Sequence, residues 1–308
     1  RLKGWLSLIG YSFTDDIERA DLVLYNTCAI REHAEDRVFG NVGALKSMKT
    51  ANKEMKILLC GCMMQEPTVI EKIKESYRFV DLIFGTHNIY KFAELLNSTF
   101  ENKGMVIDIW KDTDKIVEDL PVERKYPFKS GINIMFGCNN FCSYCIIPYL
   151  RGKFRSRPIE DIVAEAKDME ALGVKELNII AQDTSGYGID LYGNYCLPEL
   201  IRGICDATKI PWIRLLYCYP DKITDELIAE IRDNPRVVKY IDIPIQHISD
   251  NMLTAMNRHG DGKTVREVVA KLRREIPDIT LRTTAMVGFP GETEEDFEEL
   301  CQFVKDYR

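Results

Sequence analysis

Three cysteines lie close together in the segment FGCNNFCSYCIIPYLRG, at Cys138, Cys142 and Cys145. The surrounding glycine, asparagine and proline residues favour a loop, and a loop can wrap three thiolates around one face of an iron–sulfur cluster. Structural zinc normally takes four protein ligands, and no histidine lies between His87 and His247. A redox pair formed by Cys142 and Cys145 would leave Cys138 without a role. The spacing therefore favours an iron–sulfur cluster with one iron open to a small molecule, with zinc and redox chemistry as the alternatives.

A second pair of cysteines follows two apolar runs nearer the start of the chain. Cys28 ends the stretch ADLVLYNTC, and Cys62 lies in GCMMQ directly after the stretch MKILLC. Both positions fall at the predicted carboxyl ends of strands, where ligands bind in doubly wound sheets. We expect these two thiolates to converge, and the alternative is that both are buried as small hydrophobic residues. Cys60 is expected to point into the core.

Short apolar runs alternate with longer amphipathic, charged segments along the chain. In residues 1–111 the runs ADLVLYNT, MKILLC and VDLIFG predict strands of a parallel sheet, each covered by the helix that follows. In residues 131–308 five further runs, beginning with INIMFG, predict the strand–helix units of an incomplete β/α barrel. The charged segment 112–130 contains Pro121 and Pro127 and is predicted to be an interdomain linker. The expected fold class is therefore α/β, with a doubly wound domain followed by a partial barrel.

Several polar residues and glycines lie at the predicted ends of barrel strands. Gln182, Asp183 and Thr184 end the second of these strands, and active sites form at the carboxyl ends of barrel strands. An ordinary turn or helix cap is the alternative for these three residues. Gly288 and Gly291 are expected to shape the turn before the last helix, and Thr293 and Asp296 are expected to form the capping box that begins it.

A basic run follows the cysteine loop, at Arg151, Lys153, Arg155 and Arg157. Arginine suits pairing with a carboxylate or a phosphate, and the alternative for such a run is a solvated face. His247, in the stretch DIPIQH, is a further candidate that faces the barrel cavity, although a lone histidine is more often structural.

Composition restricts the class and location of the protein. The 308 residues carry a net charge of −7, which gives no general field for binding polyanions, so contact with nucleic acid would need a local patch. No apolar run of roughly 18 residues occurs, which excludes an ordinary membrane-spanning helix. Ten cysteines without a recognisable signal peptide fit metal ligation in a reducing compartment better than a secreted disulfide framework. We therefore expect a cytoplasmic protein without membrane contact.

The CxxxCxxC spacing after the first predicted barrel strand resembles the radical S-adenosylmethionine superfamily. The resemblance implies that Cys138, Cys142 and Cys145 are catalytic and hold a 4Fe-4S cluster whose open iron chelates S-adenosylmethionine. An electron from the cluster would then cleave this cofactor to a 5′-deoxyadenosyl radical. Tyr144 falls at the aromatic position of the motif. The residues expected to bind the cofactor are Tyr144, Gln182, Asp183, Thr184, Arg155, Gly288 and Gly291.

The stretches NTCAIREHAEDRVFG, CGCMMQ and CNNFCSYCIIPYLRG together resemble the methylthiotransferase family within that superfamily. The family resemblance implies a second 4Fe-4S cluster that carries sulfur in an N-terminal flavodoxin-like domain, residues 1–111, held by three cysteines. Cys28 and Cys62 match two of them, and the third is expected before Arg1. The implied reaction inserts a methylthio group at an unactivated C–H bond, with two 4Fe-4S clusters and S-adenosylmethionine as cofactors.

The two halves of the chain resemble different branches of this family. Residues 20–110 resemble the MiaB branch, which methylthiolates an isopentenyl-modified adenosine of tRNA. Residues 153–308 resemble the RimO branch, which methylthiolates an aspartate of ribosomal protein uS12. Because the barrel mouth shapes the pocket around the reacting carbon, we favour uS12 as the substrate, with tRNA as the alternative. A more distant alternative is a non-catalytic metal-containing module that binds RNA.

The family resemblance also implies properties of the whole protein. It predicts a reducing electron donor of the flavodoxin type and a monomer. The chain begins at Arg1 and stops at Arg308 inside a predicted helix, so we expect it to be truncated at both ends. The small C-terminal TRAM domain of the family would then lie beyond the barrel domain, residues 131–308.

Overall fold

The structure, a computed structural model, describes residues 1–29, 32–113, 115–116, 120–124 and 126–307, and of residues 32–34 it describes only the backbone. The positions outside the described residues are 30 and 31 of the stretch IREHAEDRVFG, 114, 117–119 and 125 of the predicted linker, and the last residue.

The helices and strands in chain order are α1 (Leu2–Leu8), β1 (Leu22–Thr27), α2 (Glu32–Ala51), β2 (Lys56–Gly61), α3 (Pro67–Ser76), β3 (Leu82–Phe84), α4 (Phe92–Glu101), β4 (Val106–Asp108), β5 (Lys129–Asn133), β6 (Met135–Phe136), α5 (Ile147–Arg151), β7 (Arg155–Ser156), α6 (Ile159–Ala171), β8 (Glu176–Ile180), α7 (Ile189–Tyr192), α8 (Leu197–Ala207), β9 (Trp212–Leu215), α9 (Asp225–Asp233), β10 (Tyr240–Asp242), α10 (Asp250–Ala255), α11 (Gly262–Glu275), β11 (Thr280–Arg282) and α12 (Glu294–Asp306).

The described chain divides into two compact units. One contains Arg1–Glu123 and Ile146–Gly152, and the other contains Arg124–Cys145 and Lys153–Arg308. The chain therefore passes from the second unit to the first directly after Cys145 and returns after Gly152. The functional division into residues 1–111, 112–130 and 131–308 stays a prediction.

The first unit contains a parallel sheet with the strand order β1-β2-β3-β4. β2 is buried along most of its length, as expected of a parallel strand covered on both faces. Its side chains alternate, so that Ile57 and Leu59 pack with α2 and α3, whereas Leu58 and Cys60 pack with α1 and α4. Helices thus cover both faces of the sheet, which confirms the α/β prediction, and Cys60 points into the core as predicted.

Within its described residues, the second unit has five parallel strands in two hydrogen-bonded groups, β5-β8-β9 and β10-β11. Ile213 of β9 joins the groups, because it exchanges backbone hydrogen bonds with Arg236 and Val238 just before β10. The helices between the strands pack their apolar faces on one continuous core. This strand–helix alternation confirms the predicted partial barrel, and it brings the carboxyl ends of the strands to one edge.

The predicted first barrel strand, INIMFG, differs in the structure. β5 ends at Asn133, and β6 pairs antiparallel with β7. Ile134 makes the switch, because its N–H still bonds to the Ile180 carbonyl of β8, while its own carbonyl accepts the Arg157 N–H. The residues between β6 and β7, 137–154, contain the three cysteines.

The start of the last helix agrees with the sequence. Thr293 and Asp296 form the predicted capping box at the N-terminus of α12.

Among the described helices, none has the length and apolar character needed to cross a membrane.

Candidate functional site

The three predicted cluster cysteines follow β6 on an irregular loop. Gly137 and Phe141 adopt left-handed φ angles of 75° and 48°, and the Cys145 N–H donates to the Cys142 carbonyl at 2.9 Å. These turns are incompatible with a continuous helix, so a loop presents the cysteines, as the sequence predicts. All three cysteines are half-buried and none forms a disulfide.

The turn at residues 255–258 holds this loop in place. The Ser143 N–H donates to the Met256 carbonyl at 2.9 Å, and the Ser143 hydroxyl donates to the Ala255 carbonyl at 3.0 Å. The Asn257 side chain donates to the Phe141 carbonyl at 2.8 Å. The partners are far apart in the chain, so the tertiary fold determines the shape of the loop.

Cys142 has polar neighbours on two sides. The Tyr219 hydroxyl lies 3.9 Å from its Sγ atom, and Nη1 of Arg258 lies at the same distance. Nη1 of Arg258 also donates to the Tyr144 hydroxyl at 3.2 Å. The Tyr144 ring meets the Phe289 ring edge to face, with 6.3 Å between centroids. Tyr144 is therefore held at the loop, with 38% of its surface exposed.

The donor set of this loop fits an iron–sulfur cluster. Burial raises the pKa of the Cys138 thiol to about 11, so metal binding would have to displace its proton. Across the part of the chain that the structure describes, no three Cys, His, Asp or Glu side chains lie where they could together hold a metal ion. Cysteine thiolates are the donors that iron–sulfur clusters take, and the loop supplies three of them.

Asp183 lies directly behind the cysteine loop. Its buried carboxylate accepts hydrogen bonds from the Asn140 amide at 3.0 Å and from the Ser185 hydroxyl at 2.9 Å, and it forms an ion pair with Lys222. Lys222 also donates to Asn140 at 2.8 Å. Asp183 therefore links the end of β8 to the loop.

The neighbours of Asp183 differ in how much they expose. Gln182 is half-buried, whereas Thr184 is fully buried. The Thr184 N–H donates to the Tyr217 carbonyl and its hydroxyl donates to the Leu216 carbonyl. Thr184 thus has its donors occupied by backbone groups, which is the behaviour of a positioning residue.

The turn before α12 is held by a buried histidine. Gly288 and Gly291 adopt left-handed φ angles of 74° and 89°, which favour glycine. Glu292 accepts the Gly288 N–H with one carboxylate oxygen, and its other oxygen lies 3.1 Å from Nε2 of His247. Nδ1 of His247 accepts the Ser249 N–H at 3.1 Å, so Nε2 bears the proton and donates to Glu292. His247 is fully buried and supports the turn.

The residues of the basic run have different surroundings. Arg157 is buried, donates to the Asn133 carbonyl at 2.6 Å and pairs with Glu165 at 2.7 Å. Arg155, on β7, donates to the Lys153 carbonyl at 2.8 Å. Arg157 therefore pairs with a carboxylate inside its own unit and is not part of a solvated face.

The second cysteine pair lies in the first unit. Thr27 and Gly61 are partners in the β1–β2 register, so Cys28 and Cys62 leave the same sheet edge from adjacent strands. Cys28 is exposed and Cys62 is buried. Arg151 lies on α5, the short helix that follows the three-cysteine loop. Its Nε donates to Sγ of Cys62 at 3.2 Å.

Several residues of the site were missed by sequence reasoning. Tyr219 and Lys222 follow β9, the third barrel strand, and their position at a strand end was a usable signal. Asn140 lies inside the cysteine motif and was treated only as a loop former. Arg258 had no local signal, because it follows α10 and reaches the loop through the tertiary fold.

Comparison with known families identifies both parts of the chain. Residues 132–304 match the Radical SAM superfamily, and residues 1–85 match the uncharacterized protein family UPF0004. The superfamily match implies S-adenosylmethionine and an iron–sulfur cluster as cofactors.

Curated relatives match the chain from end to end. The chain is 45% identical over its whole length to the tRNA-2-methylthio-N(6)-dimethylallyladenosine synthase of Alkaliphilus oremlandii, of which it covers 65%. It is 46% identical over 99% of its length to the protein of that name in Lachnoclostridium phytofermentans, of which it covers 67%. The Clostridium tetani protein is 42% identical, with 68% of its length covered. The chain thus spans about two thirds of the length of these relatives.

Solved structures share the fold. The chain superposes on the radical S-adenosylmethionine methyltransferase TsrM from Kitasatospora setae, bound to tryptophan and a cofactor analogue, with a TM-score of 0.68 at 14% identity over 93% of the chain and 60% of that protein. A second TsrM structure, with cobalamin and a [4Fe-4S] cluster bound, gives 0.68 at 16% identity over 94% of the chain and 63% of that protein. At these identities the likeness shows the fold alone.

The preference for uS12 as the substrate is wrong. The relatives that match the whole chain, including residues 153–308, are named for tRNA. Three polar residues at the ends of the barrel strands, Asp183, Asp242 and His247, are buried and paired with Lys222, Arg282 and Glu292.

Both cysteine groups, the partial barrel and relatives more than 40% identical along nearly the whole chain point to one assignment. The chain belongs to the radical S-adenosylmethionine methylthiotransferase family.

Proposed function

We propose that the protein is a radical S-adenosylmethionine methylthiotransferase that modifies a dimethylallyl-substituted adenosine of tRNA. The observation that carries the proposal is the similarity to tRNA-2-methylthio-N(6)-dimethylallyladenosine synthases over 99–100% of the chain, which includes both cysteine groups. A carbon of the adenine ring offers no acidic proton, so acid–base groups alone would not functionalise it.

Cys138, Cys142 and Cys145 would hold the barrel cluster. The bound cluster and S-adenosylmethionine would supply the radical chemistry that removes a hydrogen atom from an unactivated C–H bond. The chain itself would bind and orient the cluster and S-adenosylmethionine, and it would keep water out of the site. The bonds from the 255–258 turn keep the loop in one shape, and Asp183 fixes the loop against β8.

We propose cofactor-binding roles for residues on and around this loop. Tyr144 lies on the loop itself, and Gln182 and Asp183 lie at the adjoining strand end. Thr184 contributes by positioning, because its donors are occupied. The roles of Arg155, Gly288 and Gly291 in binding S-adenosylmethionine are part of the same proposal.

Cys28 and Cys62 would be ligands of the second 4Fe-4S cluster. Their adjacent positions at one sheet edge support this pairing. Residues 1–111 would then carry the sulfur for the reaction, and residues 131–308 would generate the radical. A flavodoxin-type electron donor and a monomeric enzyme complete the proposal.

Anaerobic reconstitution with iron and sulfide tests the proposed function. With S-adenosylmethionine and dithionite, the full-length protein should release 5′-deoxyadenosine, and the Cys142→Ala variant should not. Cys301→Ala is the matched control, because Cys301 lies on α12 outside both cysteine groups. Mass spectrometry should then find the methylthio group on tRNA that carries dimethylallyladenosine. Release by Cys142→Ala, or methylthiolation of uS12 instead of tRNA, would contradict the proposal.

A further inference from the structure

Arg258 is a buried arginine with an unusual set of partners. Only 9% of its surface is exposed. Among the residues that the structure describes, no carboxylate forms an ion pair with it. A buried guanidinium without a counterion is costly unless another group compensates its charge. The groups around Arg258 therefore indicate what compensates its charge.

The partners of Arg258 converge on the cysteine loop. Nη2 donates to the Pro244 carbonyl at 2.7 Å, and the guanidinium carbon lies 4.3 Å from the centroid of the Tyr219 ring. Nη1 donates to the Tyr144 hydroxyl at 3.2 Å and lies 3.9 Å from Sγ of Cys142. One carbonyl and one ring thus fix the guanidinium plane, and Nη1 is directed at the loop.

Tyr219 completes this arrangement. Its ring stacks against Arg258, and its hydroxyl accepts the His259 N–H at 3.2 Å and lies 3.9 Å from Sγ of Cys142. The sulfur therefore has a guanidinium and a phenol as neighbours. Both can donate to a thiolate, and neither brings a negative charge.

From this geometry we infer that Arg258 is the positioning residue of the barrel cluster, which fixes the Cys142 ligand and compensates the negative charge of the thiolate-bound cluster. This inference rests on the proposed function, because it requires the cluster at Cys138, Cys142 and Cys145. A positive charge and hydrogen bonds at a ligand sulfur make the reduced, more negative cluster easier to form. Arg258 thereby favours the reduced state that the radical reaction uses.

Arg236 provides the comparison within the same unit. Its guanidinium donates to the carbonyls of Ile210, Cys205 and Thr208, so it is fully used in joining backbone segments. Loss of Arg236 should lower stability alone. Loss of Arg258 should change a property of the cluster itself.

The test is a redox titration of the reconstituted full-length protein. At each potential, the electron paramagnetic resonance signal measures how much of the barrel cluster is reduced. The background carries Cys28→Ala and Cys62→Ala, so that only this cluster contributes. Arg258→Gln removes the charge but keeps a donor for the Pro244 carbonyl. We expect the reduced-to-oxidised ratio at a fixed potential to fall about tenfold, which is about 59 mV for a one-electron couple. Arg258→Lys should stay close to the unsubstituted background, and Arg236→Gln should lower the unfolding temperature without changing the ratio.

Each outcome decides between the possibilities. An unchanged ratio in Arg258→Gln, or an equal shift in Arg258→Lys, overturns the role of the charge. Arg258→Met, whose stem fills the same space, replaces the glutamine variant if that protein does not fold. If the unsubstituted background assembles no cluster, the proposed function fails and this inference fails with it. A normal cluster in the background with an unshifted Arg258→Gln refutes only the role of Arg258.

Discussion

Asp296 illustrates how much a single side chain contributes through its neighbours. The Ser249 hydroxyl donates to one of its carboxylate oxygens, and the Asn251 amide and the Thr293 N–H donate to the other at 2.9 and 3.0 Å. These hydrogen bonds, led by that of Ser249, hold the pKa of Asp296 well below its usual range. The ionised carboxylate thus joins the start of α12 to the start of α10.

Replacing Asp296 with Asn should make stability less dependent on pH. A carboxylate whose folded pKa is depressed stabilises fully above its unfolded pKa of about 3.9, and that contribution is lost as the pH falls through the lower folded value. Asp296→Asn should therefore unfold at a lower temperature than the unsubstituted protein at pH 7, and the difference should shrink at pH 3. Thermal unfolding followed by circular dichroism measures this. Asp278→Asn, at an exposed position, is the control, and a difference that stays constant with pH would refute the prediction.

At the scale of elements, the close approach of β1 and β2 determines where Cys28 and Cys62 leave the sheet. Gly61 ends β2 with a φ of 102°, and a Cβ atom there would lie 2.2 Å from the Thr27 carbonyl oxygen. The Thr27 hydroxyl donates to the Cys60 carbonyl at 2.6 Å. The strand ends are therefore in contact through their backbones, and only glycine fits.

Gly61→Ala should destabilise the first unit. The added methyl group must displace the backbone of β1, and the alanine must keep the positive φ of Gly61. Together these two effects cost roughly 2–4 kcal/mol. Urea denaturation of the protein should show this loss in the free energy of unfolding. Gly104→Ala is the matched control, because nothing lies within 4 Å of its added Cβ atom, and it should change stability by less than about 0.5 kcal/mol. Equal effects of the two substitutions would contradict the steric explanation.

At the scale of the whole molecule, the chain carries two cysteine groups on two sheets of different topology. The first group lies at the edge of the β1-β2-β3-β4 sheet, and the second follows β6 in the partial barrel. The chain enters the first unit again at Ile146, directly after the last cysteine of the loop, and Arg151 of that segment contacts Cys62. One short segment thus connects the residues proposed for both clusters.

The iron content should follow this division. The reconstituted full-length protein should contain about eight irons, and the variant with both Cys28→Ala and Cys62→Ala should contain about four. Replacing Cys138, Cys142 and Cys145 with alanine should also leave about four, because each cluster has its own ligands. Iron analysis with parallel zinc analysis measures this. Stoichiometric zinc, or an iron content that the Cys28 and Cys62 substitutions leave unchanged, would contradict the assignment of two clusters.

The sequence predicted those features that depend on neighbouring residues. Alternating apolar runs predicted the α/β class, and Thr293 with Asp296 predicted the cap of α12. The glycine, asparagine and proline residues around Cys138, Cys142 and Cys145 predicted a loop with three thiols. Two predictions failed. The first barrel strand is divided because Ile134 exchanges one strand partner for another, and the preference for uS12 is overturned by relatives that are named for tRNA.

By itself, then, the amino-acid sequence determined the fold class and the two cysteine groups, because periodicity and spacing act over a few residues, and its cysteine motifs resembled those of the family. Only the tertiary structure decided which side chains surround those cysteines. Arg258 is 116 residues from Cys142 and Tyr219 is 77 residues from it, and the folding of the barrel brings both to the same sulfur. The physical reason is that strand ends and turns remote in sequence meet at one edge of a parallel sheet, where a contact depends on the path of the whole chain.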